Sequence, residues 1–93
     1  MLGFPERVAS ERPMLTPRQC RAARALLGWS RATLAEKSGV PNPTLEKFEA
    51  EITSPMLVTV SKLRRAMERA GVIFIDPDSE AGPGARLRDG RLE

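Results

Sequence analysis

Histidine and tyrosine are absent from this chain, and cysteine occurs once, as Cys20. These absences remove most of the usual general bases and metal ligands, and a zinc site is excluded in practice. A lone cysteine forms no internal disulfide and fits a reducing cytoplasm. No stretch reaches the ~18 apolar residues of a membrane span, and no signal-peptide pattern opens the chain. Aromatic residues make up 4% of the sequence, so the expected core is mostly aliphatic. Gly82-Pro83-Gly84 lacks the G-x-x-x-x-G-K pattern and a strand-to-helix setting, and reads as a turn. With no base, nucleophile and ligand set in view, neither an enzyme nor a cofactor is expected.

Ninety-three residues make one small domain. A chain of this size buries roughly 60% of its unfolded surface, which requires one compact core. Positive charge is concentrated in the middle. Residues 16–70 carry ten Lys/Arg against five Asp/Glu, 10 − 5 = +5. Residues 71–93 carry three against five, 3 − 5 = −2, and residues 1–15 balance at 2 − 2 = 0. A polyanion is expected to dock on the middle segment.

Three segments follow from the punctuation. Residues 1–15 hold two prolines and no sustained period, and read as a flexible arm, with Met14 a second candidate start. Residues 16–71 read as a helical domain. Thr16-Pro17-Arg18-Gln19 forms a capping box, and the helix it opens runs to about Leu27, with Cys20, Ala23, Leu26 and Leu27 inward and Gly28 as its stop. Ser30 caps a second helix over about 31–38. Asn42 is the expected N-cap of a third, with Pro43 in its first turn and an end near Ala50. Thr53-Ser54-Pro55 repeats that signature before a helix over about 56–70, whose stripe Leu57, Val60, Leu63, Met67, Ala70 closes the core. Residues 72–93 change period. Val72 to Ile75 and Ala85 to Arg88 read as two strands of a hairpin with a long loop. The expected fold is therefore mainly α: a compact four- to five-helix domain with a short C-terminal β-hairpin.

The second and third helices are the most informative stretch. Leu34 and Ala35 are placed to face inward, Gly39 supplies the left-handed turn, and Val40, Leu45 and Phe48 anchor the pair. Asn42, Thr44, Glu46 and Lys47 remain outward. A helix pair joined this way can lay its second member in a DNA major groove.

From Thr16 to Gly71 the sequence resembles the Xre-type, phage-repressor-like helix-turn-helix family. The resemblance is carried by Arg24 and Gly28, Leu34-Ala35, Gly39-Val40, Thr44-Leu45, Phe48-Glu49 and the Ser54-Pro55 step. It looks most like a subgroup of short bacterial regulators, through Ala23 to Ser30 (ARALLGWS) and the tail Gly82 to Arg88 (GPGARLR). The resemblance implies a third helix lying in the major groove and Arg31 at a phosphate or nearby base. It also implies Asn42, Thr44 and Lys47 at base edges or flanking phosphates, and a structural Glu49–Arg24 pair. The sequence departs from the family pattern at Asn42, where Arg or Gln is frequent, and at Glu51, where Gly is frequent. Glu46, Glu49 and Glu51 bring three negative charges to the reading helix and weaken its attraction to phosphate.

Two uses are open to Asn42, capping and a paired contact with adenine, and they do not exclude each other. The DNA-binding set is read as Arg31, Asn42, Pro43, Thr44 and Lys47, with Arg18, Arg21, Thr53 and Ser54 flanking. Val72, Ile73, Phe74 and Ile75 are the dimerisation candidate, because an exposed apolar edge strand needs a partner; packing on their own core is the competing use. Arg64, Arg65 and Arg69 read as a solvated face. The expected function is a cytoplasmic, nucleoid-associated regulator of transcription that binds an inverted-repeat operator in double-stranded DNA as a homodimer. The alternative is an antitoxin-like module whose tail holds a protein partner.

Overall fold

The computed structural model describes residues 15–89. Among these, four helices and one hairpin follow in order: α1 Pro17–Leu27, α2 Arg31–Ser38, α3 Asn42–Glu49, α4 Leu57–Arg69, β1 Val72–Ile75 and β2 Gly84–Leu87. The residues expected to form an arm lie outside the described range except Leu15, which is buried in the core.

Local chemistry sets the first two helices. The Gln19 amide donates to Thr16 Oγ1 at 3.0 Å and the Thr16 amide to Gln19 Oε1 at 2.9 Å, the reciprocal capping box. Gly28, at φ 71°, ends α1 with its amide on the Ala25 carbonyl while the Trp29 amide reaches the Arg24 carbonyl. Those two bonds satisfy carbonyls that the helix end would otherwise leave open. Ser30 Oγ accepts from the Thr33 amide at 3.1 Å, starting α2.

The third and fourth helices begin differently from expectation. The Pro41 carbonyl accepts the Leu45 amide at 3.0 Å, so Pro41 is the N-cap and Asn42 is already the first helical residue. No side chain caps α3. Met56 takes the cap position of α4, again without a side-chain bond, and Thr53, Ser54 and Pro55 lie in the preceding loop. Leu26 and Leu57 are outward, as is Ala70, while Ala66 takes an inward place in the core.

The core gathers Cys20 and Ala23 of α1, Leu34 of α2, Leu45 and Phe48 of α3, Leu63, Ala66 and Met67 of α4, and Val72 and Phe74 of β1. The two strands pair antiparallel, Val72 opposite Leu87 and Ile75 opposite Gly84. Such a hairpin is marginal alone. Here it packs against α1 and α4. Gln19 Nε2 donates to the carbonyls of Ile75 and Gly84, at 3.1 and 3.0 Å. The guanidinium of Arg64 stands 5.2 Å from the Phe74 ring centroid, bonds Glu68 at 3.0 Å and reaches Asp76 at 3.4 Å. Arg64 is thus a clamp between α4 and β1 rather than part of a solvated face.

One non-glycine residue among those described has a left-handed backbone: Glu51, at φ 63°. It follows α3, where the Glu51 amide bonds the Phe48 carbonyl at 3.0 Å and the Ile52 amide the Lys47 carbonyl at 2.9 Å. This is the helix ending that favours glycine, because a Cβ costs free energy there. Glu51→Gly is expected to raise stability by about 0.5–1 kcal/mol. The lost Arg21–Glu51 contact, 3.7 Å between exposed groups, offsets little of it. Urea titration decides the matter, and a less stable glycine variant rejects the assignment.

Candidate nucleic-acid interface

Helical spacing divides α3 cleanly. Leu45, Phe48 and Glu49 are buried, whereas Asn42, Pro43, Glu46 and Lys47 are exposed and Thr44 is half-buried beside them. A face of polar side chains with one cation and one carboxylate on a two-turn helix has the dimensions of a groove reader. The start of α3 strengthens it. With no cap, the amides of Asn42 and Thr44 have no side-chain partner, and the positive end of the helix is open to an anion. The displaced cap also releases the Asn42 side chain for bonding elsewhere.

Arg31 is exposed at the first position of α2, which packs against α3, and Thr53 and Ser54 are exposed in the loop after it. These three stand on the segments that precede and follow α3 in the chain. The two α1 arginines are placed otherwise. Arg21 donates to the Glu49 carbonyl at the end of α3 and approaches Glu51, so its charge sits at the negative end of that helix. Arg18 lines a groove of about 450 Å³ with Thr16, Gln19, Ala22 and the Gly82–Gly84 turn. Both are therefore engaged by, or turned toward, other parts of the protein.

The negative charge expected around α3 is largely neutralised. Glu49 points inward, and Arg24 grips it through two nitrogens, Nε to Oε2 at 2.7 Å and Nη2 to Oε1 at 2.8 Å. Arg24 also donates to the Trp29 carbonyl at 3.1 Å. The Glu49 carboxylate holds the Arg24 guanidinium above its ordinary pKa. Cys20 Sγ donates to Glu49 Oε2 at 3.1 Å. Burial, then that bond, pushes the Cys20 thiol up from its ordinary value. A buried neutral thiol is inert, and Cys20 is a packing residue. On the outer face this leaves Glu46 and Lys47, without an ion-pair partner among the described residues.

In the hairpin, Val72 and Phe74 point into the protein's own core, and Ile73 and Ile75 point outward. Among the described residues no helix is long and apolar enough to cross a membrane.

Sequence reasoning missed the roles of Arg21 and Arg64, which depend on long-range packing. It also passed over the exposed apolar residues around Met56. A signal for the strained backbone was present, in the glutamate that stands where the family often has glycine. A family model described as helix-turn-helix matches residues 21–70. No curated protein matches the chain.

Proposed function

The chain belongs to the Xre/Cro-like helix-turn-helix regulators, and on that premise we propose that it is a sequence-specific repressor that binds an inverted-repeat operator as a homodimer, including one at its own promoter. The observation that carries this reading is the outer face of α3, polar, with Glu46 and Lys47 as its two charges and an uncapped start. Asn42, Thr44 and Lys47 take the base edges, with Asn42 suited to adenine through its paired donor and acceptor. Pro43 presets the first turn. Arg31, Thr53 and Ser54 bind flanking phosphates, which fix register and supply affinity without sequence choice. Arg18 and Arg21 contribute only long-range attraction. The protein acts in the cytoplasm, at the nucleoid, and has no catalytic role.

The test is fluorescence anisotropy on the DNA upstream of its own coding sequence and on scrambled DNA, across a salt series. A preference of about a thousandfold or more for the upstream piece is the expected result. Equal binding to both pieces rejects sequence-specific autoregulation. Binding to neither transfers the weight to a protein partner held by the hairpin, whose Ile73 and Ile75 are exposed. In the same assay Lys47→Ala should weaken binding and lower the preference for the upstream piece; a salt slope flattened by about one unit with the preference kept assigns Lys47 to a phosphate instead. An unchanged slope with lost discrimination assigns Lys47 to the bases.

A further inference from the structure

Trp29, the chain's single tryptophan, lines a cleft of about 230 Å³ with Lys37, Ala66, Arg69 and Ala70, where α2 packs on α4. Lys37 and Arg69 are exposed, and neither has an ion-pair or hydrogen-bond partner among the described residues. No carboxylate stands among the described residues that line the cleft. We propose that this cleft binds a small monocarboxylate with an apolar body, and that the bound ligand adjusts the affinity for DNA. The site stands without the DNA-binding reading, and its regulatory effect rests on that reading.

Charge and size select this class of ligand. The plain use of the two cations is to face the negative ends of their own helices, since each stands in a last turn. That use is incomplete. Each helix end carries roughly half a charge, so the two cations leave a net of about +1 at the cleft. One carboxylate matches that value, whereas a phosphate dianion or a nucleic-acid backbone needs more. Ammonium and guanidinium groups both make charge-assisted bonds to a carboxylate. The indole and the two alanines supply an apolar wall. A volume below the ~300 Å³ of the smallest drug-sized pockets limits the body to one ring or a short chain. Ala70 also lines a larger groove with Leu26 and Leu87, about 530 Å³, so the apolar floor continues past the cations. The two charges of that groove, Arg88 and Asp89, cancel, which leaves the carboxylate at Lys37 and Arg69.

The cleft is joined to the reading helix. The Trp29 carbonyl accepts from Arg24 Nη1 at 3.1 Å, and the other two nitrogens of Arg24 hold Glu49 at the end of α3. Lys37 stands on α2, which packs against α3. A ligand that bridges Trp29, Lys37 and Arg69 therefore ties α4 to both supports that set how α3 is presented. Coupling of this kind is reciprocal, so a ligand that shifts the affinity for DNA has its own affinity shifted by DNA in the same ratio.

Proton–nitrogen correlation NMR of the full chain, titrated with phenylpropionate to about 20 mM at fixed ionic strength, tests the site. The expected result is saturable movement of the Trp29 indole signal with a Kd of about 1 mM, ordinary for a small ligand in an open cleft. Lys37→Gln/Arg69→Gln should weaken binding at least about fivefold, and Arg65→Gln, outside the cleft, should leave it unchanged. These side chains are exposed, so folding should survive, and a thermal melt checks it. Phenylpropionamide lacks the charge and acetate lacks the apolar body, so each should bind at least about fivefold more weakly. Movement that never saturates overturns the proposal. So does equal binding of the amide or of acetate, or full binding by the Lys37/Arg69 variant. In the anisotropy assay, phenylpropionate should change the Kd for the upstream DNA at least about fivefold relative to equal acetate, in wild type and not in the Lys37/Arg69 variant. An unchanged wild-type Kd overturns the regulatory effect. A protein that binds no DNA overturns the DNA-binding reading, while the NMR titration still decides the site.

Discussion

Arg24→Ala should lower the free energy of unfolding by about 3–5 kcal/mol, the largest loss expected from any surface-reaching side chain here. Glu49 is 3% exposed, and two of its bonds are charge-assisted contacts from Arg24. Deleting the arginine leaves a buried carboxylate with only the weak thiol donor of Cys20. A domain of this size holds roughly 5–15 kcal/mol in total, so the melting temperature should fall by on the order of 15 °C or more. The converse change, Glu49→Ala, should cost less. Arg24 keeps the Trp29 carbonyl, and its side chain is 19% exposed, so water can reach it. The pair spans α1 and α3, so its loss also loosens the angle at which α3 is presented. Thermal and urea melts of both variants check the order. An Arg24→Ala protein within 1 kcal/mol of wild type removes the pair from the list of structural supports.

Truncation after Gly71 should abolish the cooperative fold rather than release a monomeric DNA-binding domain. Val72 is 2% exposed and Phe74 8%, both against the helices. Each large-to-small loss at such sites costs about 2–5 kcal/mol, and removing both whole side chains consumes most of the stability available. Arg64 would lose the Phe74 ring and Asp76, and Gln19 both of its carbonyl acceptors. Circular dichroism and amide-proton dispersion should show a chain without a sharp transition. A truncated protein that melts cooperatively within a few degrees of full length would show that the hairpin is an appendage. For this reason the oligomer is better probed by point substitutions than by deletion.

What the sequence disclosed was chiefly what is local. The Thr16–Gln19 box, the Ser30 cap and the left-handed Gly28 and Gly39 each follow from residues within one turn of the feature. The two helix caps that were misplaced have proline nearby and no side-chain bond, so no local hydrogen bond marks the first helical residue. Stripe ends failed too. Leu26 and Leu57 obey the helical period yet stay 41% and 51% exposed, Leu26 at the edge of a groove that Ala70 and Leu87 also line. The hairpin was readable from its β-branched run, whereas the destination of its buried face was not. At the site, the division of α3 into inner and outer faces was legible from periodicity. The use of Arg21 at the α3 terminus was not, since Glu49 lies 28 residues away.

Gln19 completes a helix start with its oxygen and holds the end of the hairpin with its nitrogen. The first contact spans three residues and the other two span 56 and 65. In kinetic terms these belong to different moments. The capping bonds form with the helix itself, on a fast local timescale, whereas docking the hairpin must first overcome the entropy of closing a long loop. The Gln19 side chain is then ordered before its distant acceptors arrive. Interactions made that late, after the transition state, act mainly on how slowly the folded protein opens. With the hairpin docking after the transition state, loss of the Gln19 nitrogen contacts should mainly speed unfolding and loss of the oxygen contact mainly slow folding. Stopped-flow chevrons of Gln19→Glu and Gln19→Ala would separate the two.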